Sequence, residues 1–309
     1  MRFRSRNALF GVGILGLARV ATGLGAGAAI LSVLVIALGA VSAARRPMVS
    51  AMVWSGMGAA IIGSGLAIAV LVGPSIGWRM AFVATAALAL ALAVFFPPAN
   101  TPKPEAAASA TPFHPGTVLT ERWVFLLIAY MLFGVGYIAY ATFAGARMAA
   151  ENAPVFVTGA MWAAVGIASI IGAGLTIVLL RRPKLKSVAL ALGLALASIG
   201  AALSSLDSSV AALIGALLVG LGFASTPSIV SAQARERSSA DDYARAFSYA
   251  TAALGIGQLA GPVVAGALAD AFGTVAAPLF ASLAYGAGAV AAALDIKAVR
   301  KVRAAEPIT

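Results

Sequence analysis

Few side chains in this sequence could bind a ligand or hold a charge within its apolar runs. Arg19 is the one charged residue that falls well inside such a run. A charge buried in an apolar phase costs at least about 2.5 kcal/mol, so its retention indicates a binding role. Arg19 could hold an anionic group or the counter-charge of a proton. Alternatively, its long side chain extends from the apolar phase to an aqueous surface.

Hydroxyl, amide and indole groups form a second set of candidates. Tyr137 and Tyr140 lie three residues apart on one face of a predicted helix, and Thr142 lies slightly around it. Beside Gly134 and Gly136, these tyrosines could line a cavity with polar-tipped rings, or they could pack as ordinary interfacial residues. Further candidates for a cavity wall lie in other apolar runs: Trp54, Ser55, Ser225, Thr226 and Gln258.

Pro227 follows two of these hydroxyl residues within an apolar run. Proline inside a helix removes one backbone hydrogen bond and kinks the helix, so the segment Ser225–Ser228 could act as a gating kink. The alternative is that the hydroxyls simply bond to the carbonyl four residues earlier in the same helix.

The elements that must position these groups are long apolar segments. Of the 309 residues, 61% are hydrophobic and only 10% are charged, whereas a soluble domain has about 25% charged residues. A run of about 20 apolar residues crosses a bilayer as a helix. The sequence therefore predicts an all-α, polytopic membrane helix bundle with about nine spans, over residues 14–40, 50–73, 78–97, 123–145, 156–180, 187–206, 209–231, 246–269 and 274–295.

The formal charge of +11 is distributed between the apolar runs rather than on one surface. With the C-terminus in the cytoplasm, nearly all basic loop residues fall on the cytoplasmic side, and only Arg79 and Arg147 fall on the other. This distribution follows the positive-inside rule, so we expect a lipid bilayer as partner and no nucleic acid.

The residue inventory argues against metal sites and enzymatic centres. Cysteine is absent, and the single histidine, His114, lies in a proline-rich linker over residues 98–121. All ten carboxylates fall in loops, at span ends or in the tail, so no acidic residue is expected at a membrane midplane. We therefore expect no metal, no cofactor and no enzyme activity.

Glycine landmarks near the N-terminus recur near the C-terminus at a nearly constant offset. Gly23 and Gly25 correspond to Gly220 and Gly222, and the Gly-x-Gly at Gly56 corresponds to that at Gly255. The first three spans thus match the last three, as in the parallel repeats of two-bundle membrane proteins. The residues expected to support helix packing or gating are Gly23, Gly25, Gly56, Gly58, Gly134, Gly136, Gly222, Pro227, Gly257, Gly261 and Pro262.

Four motifs resemble the major facilitator superfamily: Arg19-x-x-x-Gly23-x-Gly25, Gly77-Trp78-Arg79-x-x-Phe82, Gly134-x-Gly136-Tyr137 with Thr142-Phe143, and Gly261-Pro262 through Asp270 and Gly273. The third motif is similar to the seventh helix of the bacterial YbfB/YjiJ-like branch. Two departures matter: Gly56–Gly65 lacks the Gly-Pro of the family's exporter helix, and the signature loop between helices two and three is absent.

The resemblance implies a secondary active transporter of a small organic solute, with export as the expected direction and a proton as a candidate coupling ion. It implies a bacterial inner-membrane location and alternating access of two bundles. The expected segments are a partial N-terminal bundle over 1–97, the linker 98–121, a C-terminal bundle over 122–296 and a basic cytoplasmic tail over 297–309. Because three spans face six, we expect the family's first three helices to be missing, truncated or fused, and the alternative function is a truncated, non-transporting remnant.

Overall fold

The computed structural model describes residues 2–71, 78–95, 123–238 and 242–305. Within these ranges the chain forms helices and no strand, so the predicted all-α class is confirmed. The α-helices are α1 (Arg2–Gly39), α2 (Arg46–Leu71), α3 (Trp78–Phe95), α4 (Val124–Ala150), α5 (Val155–Leu180), α6 (Pro183–Leu203), α7 (Ser209–Arg237), α8 (Tyr243–Phe272) and α9 (Ala276–Ala305). A short 3-10 helix, Ala43–Arg45, precedes α2.

Six described helices are long and apolar enough to cross a membrane by length and composition, and they are α2, α4, α5, α7, α8 and α9. The other three contain shorter apolar stretches: Gly16–Ile30 in α1, Phe82–Val94 in α3 and Val188–Leu203 in α6. Each of the nine predicted spans coincides with a helix, but the count of nine spans stays a prediction because only six meet the length and hydropathy requirement.

Local sequence explains several helix ends. Proline occupies the first turn of α6 at Pro183, where its missing N–H would have had no intrahelical partner. The Ser208 hydroxyl accepts a hydrogen bond from the Ala211 backbone N–H and caps α7. Gly273 ends α8 with φ at +85°, a conformation that side chains with a β-carbon rarely adopt.

The core of the molecule lies within α4 to α9. Helix α4 packs against α8 and α9, helix α7 packs against α5 and α6, and α6 also packs against α9. Two serines join the last pair: the Ser198 and Ser282 hydroxyls each donate to the other residue's backbone carbonyl over 2.8 Å. Such hydroxyl contacts stabilise helix pairs in lipid, where the hydrophobic effect between helices is absent.

The N-terminal helices pack on this core unequally. Helix α2 lies along α5 and also contacts α7, whereas α1 and α3 contact chiefly α2. The α2–α5 crossing depends on two glycines that face each other. A β-carbon at Gly58 would lie 2.8 Å from the Gly166 carbonyl oxygen, and one at Gly166 would lie 2.6 Å from that of Gly58. The two backbones can approach this closely because neither residue has a side chain.

The α4–α8 crossing is also built on glycines. A β-carbon at Gly134 would lie 2.5 Å from the Leu254 carbonyl oxygen, and one at Gly261 would lie 2.6 Å from that of Val135. A β-carbon at Gly257 would overlap the Met131 carbonyl oxygen. On the α4–α9 side, a β-carbon at Gly136 would lie 3.0 Å from the Ala281 carbonyl oxygen. The contacts at Gly134, Gly257 and Gly261 require glycine, whereas a β-carbon at Gly136 would be tight.

Other residues predicted to support helix packing do not lie at such close backbone contacts. A β-carbon at Gly23, Gly25 or Gly56 would meet nothing within 4 Å, so the structure shows no close helix contact at these three residues. The reason is that α1 contacts little besides α2, and Gly56 lies on an exposed face of α2. Gly222 is intermediate, since a β-carbon there would lie 3.3 Å from the Gly193 carbonyl oxygen. Pro262 lies inside α8 and is half-buried.

Several predicted features lie outside the described residues. They include the 98–121 linker with His114, the motif residue Gly77, and the last residues of the tail, 306–309.

Candidate substrate cavity

A cavity of about 320 Å³ lies among five helices. Residues from both predicted bundles line it: α1 and α2 from the N-terminal part, and α4, α7 and α8 from the C-terminal part. The described lining residues are Gly23, Gly27, Ile30, Trp54, Met57, Tyr130, Phe133, Tyr137, Phe223, Pro227, Phe247, Thr251, Leu254 and Gln258. Its volume is at the small end of the range of about 300–1,000 Å³ typical of ligand pockets.

Aromatic rings dominate this lining. Tyr130, Phe133 and Tyr137 recur on one face of α4 because they are spaced by three and four residues. Their rings are nearly parallel, with centroids 6.0 Å apart for the first pair and 5.8 Å for the second. Phe223 of α7 meets Tyr137 edge to face, with centroids 4.4 Å apart. We call the three α4 rings the ring ladder.

The polar groups in the lining are few and uncharged. Gln258 of α8 contributes an amide, which both donates and accepts hydrogen bonds. Thr251 lies two helical turns earlier on α8, and its hydroxyl donates to the Phe247 carbonyl over 2.9 Å. Among the described lining residues none is charged. The cavity is therefore suited to a mostly apolar molecule with a small number of hydrogen-bonding groups.

The structure brings together some of the residues that the sequence proposes for a cavity wall. Trp54, Tyr137 and Gln258 all line the cavity, although they come from three different helices. Two residues proposed for packing or gating, Gly23 and Pro227, also line it. Trp54 is buried, and its indole Nε1–H has no acceptor among the described residues.

Other proposed wall residues lie elsewhere. Tyr140 is fully buried in the core, and its hydroxyl is 3.1 Å from that of Ser204. Three residues turn its side chain by about 60° around the helix axis from that of Tyr137, away from the cavity. The Ser55, Thr142 and Ser225 hydroxyls donate to the carbonyl four residues earlier: those of Ala51, Ile138 and Leu221. Thr226 is buried outside the described lining.

Arg19 is exposed and does not line the cavity in the described structure. Its guanidinium carbon lies 5.3 Å from the centroid of the Phe82 ring on α3, within cation–π distance. Which of its two roles Arg19 has stays a prediction.

The structure also contains a buried ion pair that the sequence does not predict. The Arg237 guanidinium donates to both carboxylate oxygens of Asp295, over 2.8 and 2.5 Å, and to the Gln233 amide oxygen over 2.8 Å. Both charged side chains are less than one-tenth exposed. The pair joins the end of α7 to α9. No local pattern reveals it because 58 residues separate the partners.

Asp295→Ala is expected to destabilise the protein by about 3–5 kcal/mol, because it leaves the Arg237 guanidinium buried without its carboxylate. Thermal unfolding in detergent, followed by tryptophan fluorescence, measures the loss. The double variant Arg237→Leu/Asp295→Leu removes both charges and should recover much of the stability. Equal stability of Asp295→Ala and the unchanged chain would show that the pair does not hold α7 to α9.

A second buried charge lies between the end of α4 and the end of α6. From the sequence Arg147 is expected in an outer loop, but the structure places it in the last turn of α4 with its side chain 3% exposed. Its Nε donates to the Ser204 carbonyl over 3.0 Å, and its guanidinium pairs with Glu151. The hydroxyls of Ser204 and Tyr140 also share a hydrogen bond, so the turn after α6 satisfies two buried polar side chains.

Fold and cavity together define a helical membrane protein with an uncharged, aromatic pocket between its N-terminal and C-terminal helices. Within the described residues, no cluster of His, Cys, Asp or Glu could hold a metal ion. The family model described as the uncharacterised MFS-type transporter YbfB matches residues 6–296. The chain belongs to this family of membrane transporters. Among curated proteins none matches the chain.

Proposed function

We propose that the chain is a secondary active transporter of a small organic solute, and that the aromatic cavity is its binding site. The observation that carries this proposal is the origin of the lining, since α1 and α2 contribute to one cavity together with α4, α7 and α8. A site at the junction of two bundles can open to either side when one bundle rocks against the other. We propose segments 1–97 and 122–296 as these two bundles, joined by the linker 98–121.

The proposed direction is export. The described lining carries no charged side chain, which suits an uncharged solute. An uncharged, mostly apolar solute leaks inward through lipid more readily than a charged one does. A transporter is then needed to move the solute outward against its gradient, and we propose the proton gradient as the energy source. We propose no enzymatic activity and no nucleic-acid partner.

Inverted membrane vesicles test direction and coupling together. Vesicles that contain the chain should accumulate uncharged organic solutes from a mixture when a proton gradient is imposed, and they should lose them when an uncoupler is added. Accumulation only in right-side-out vesicles would contradict export. Accumulation that the uncoupler does not change would contradict the proposal that the proton gradient drives transport.

The proposed setting is the bacterial inner membrane, crossed nine times, with the C-terminus in the cytoplasm. Reporter fusions after Arg182 and after Arg237 should then give cytoplasmic signals, and a fusion at Asp207 should give a periplasmic signal. The physical reason is the distribution of basic residues, which favours the side that holds Arg181, Arg182 and Arg235. Reversal of any one signal would contradict this topology.

A further inference from the structure

We infer that the cavity binds a flat, uncharged aromatic molecule, with the ring ladder of α4 as the stacking wall; this inference rests on the proposed transport function. Six of the fourteen described lining residues are aromatic, namely Trp54, Tyr130, Phe133, Tyr137, Phe223 and Phe247. Ring content alone favours many apolar ligands. The arrangement of the rings, the glycines beside them and the absence of charge among the described lining residues narrow the class.

The ring ladder presents parallel rather than mixed orientations. Its interplanar angles are 8° between Tyr130 and Phe133 and 9° between Phe133 and Tyr137. Phe223 stands at 76° to Tyr137. Aromatic pairs gain energy in offset-stacked and edge-to-face arrangements, and this wall offers both to a planar ring. A globular aliphatic molecule of equal size would fill the same volume but would gain neither arrangement.

Helix α1 supplies a second flat part of the lining. Gly23 and Gly27 are four residues apart and therefore share a face of the helix, and both line the cavity. A β-carbon at Gly23 would meet nothing within 4 Å, and the same holds at Gly27. The absence of two side chains here leaves room for a ligand beside the backbone. A cavity bounded by rings and by bare backbone fits a flat molecule.

The charge and the hydrogen-bonding groups of the lining further define the class of ligand. A charged ligand would leave water for a lining whose described residues provide no opposite charge, and that transfer is costly in an apolar environment. Gln258 and the Tyr137 hydroxyl can pair with one or two polar substituents, such as a hydroxyl or a carbonyl. The ligand class is therefore a two- or three-ring planar molecule with few polar groups.

Equilibrium dialysis with the full chain in lipid nanodiscs tests this inference with four radiolabelled probes of similar outline. They are 2-naphthol, the saturated decahydro-2-naphthol, 2-naphthoate and a naphthyl-trimethylammonium ion. We expect saturable binding of 2-naphthol, with the other three bound at least about 10-fold more weakly. Empty nanodiscs correct each value for partition into lipid. If the saturated alcohol binds as tightly as 2-naphthol or more tightly, the inference that the ligand is planar is overturned. If either ion does so, the inference that the ligand is uncharged is overturned.

Two variants connect binding to this cavity. Tyr137→Leu keeps an apolar side chain but removes a ring, so the affinity for 2-naphthol should fall by about 2- to 13-fold, the range that aromatic pairing energies give. Gly23→Val should reduce binding to the level of empty nanodiscs, whereas Gly25→Val, on the same helix but outside the described lining, should not change it. Unchanged affinity in both Tyr137→Leu and Gly23→Val would overturn the assignment.

Binding at equilibrium separates this inference from the transport function. A chain that binds 2-naphthol but moves no solute supports the inference and contradicts the proposed function. A chain that moves a solute but binds none of the four probes supports transport and overturns the inference.

Discussion

Gly257→Leu is expected to prevent the helices from assembling into the folded bundle. The β-carbon alone would overlap the Met131 carbonyl oxygen on α4, and it would also come within 2.9 Å of the Val135 backbone nitrogen. Both obstacles are backbone atoms, so no side-chain rotation relieves the overlap. Overpacking usually costs about 1–3 kcal/mol, and a clash with backbone at a helix crossing belongs at or above that limit. Gly261→Leu, at the same crossing, should have a similar effect.

The measurement is the amount of monodisperse protein recovered from the membrane, as judged by size-exclusion chromatography of a fluorescent fusion. Gly255→Leu is the matched control, because it lies two residues away on α8 and a β-carbon there would meet nothing within 4 Å. We expect Gly255→Leu to elute like the unchanged chain and Gly257→Leu to aggregate or disappear. Equal recovery of the two variants would show that α4 and α8 do not cross closely at Gly257.

Gly27→Leu is expected to abolish solute flux and to leave the fold intact. Gly27 lines the cavity, and a β-carbon at this residue meets nothing within 4 Å, so a leucine side chain has room to occupy the ligand's space. Exposed substitutions of this kind usually change stability by less than about 0.5 kcal/mol. Flux into inverted vesicles should fall to that of vesicles without the protein, at an unchanged unfolding temperature.

Gly25→Leu is the control on the same helix. It has the same open surroundings as Gly27 but does not belong to the described lining. Flux in Gly25→Leu vesicles should equal that of the unchanged chain at equal protein content. Loss of flux in both variants would mean that α1 tolerates no bulky residue for reasons unrelated to the cavity.

The apolar segments could be predicted from the sequence because their length and composition are local properties. Each predicted span coincides with a helix, and α8 ends at Phe272, shortly after the predicted span 246–269. The rotation of each helix about its own axis, which decides the face that is buried, could not be predicted in the same way. Membrane helices are apolar on every side, so hydrophobic periodicity does not identify the buried face. Tyr137 and Tyr140 are therefore equivalent in the sequence pattern, although one lines the cavity and the other is buried beside Ser204.

The partners of polar side chains could not be predicted from the sequence either. Ser55, Thr142 and Ser225 bond within their own helices, as short hydroxyl side chains can wherever a carbonyl lies four residues earlier. Asp295 looked like a span-end carboxylate in the sequence, but its partner is Arg237 on another helix. Tertiary pairings of this kind depend on how helices are arranged, and no single segment contains that information.

The most direct test of the central claim, that this chain moves a small organic solute through the aromatic cavity, is counterflow in proteoliposomes. Purified protein is reconstituted, the vesicles are loaded with unlabelled solute, and entry of labelled solute is followed for a panel of uncharged, cationic and anionic compounds. The account predicts saturable exchange of at least one compound, above that of protein-free vesicles, and its loss in Gly27→Leu. Exchange equal to that of protein-free vesicles for every compound, or equal exchange in the unchanged chain and Gly27→Leu, would contradict it.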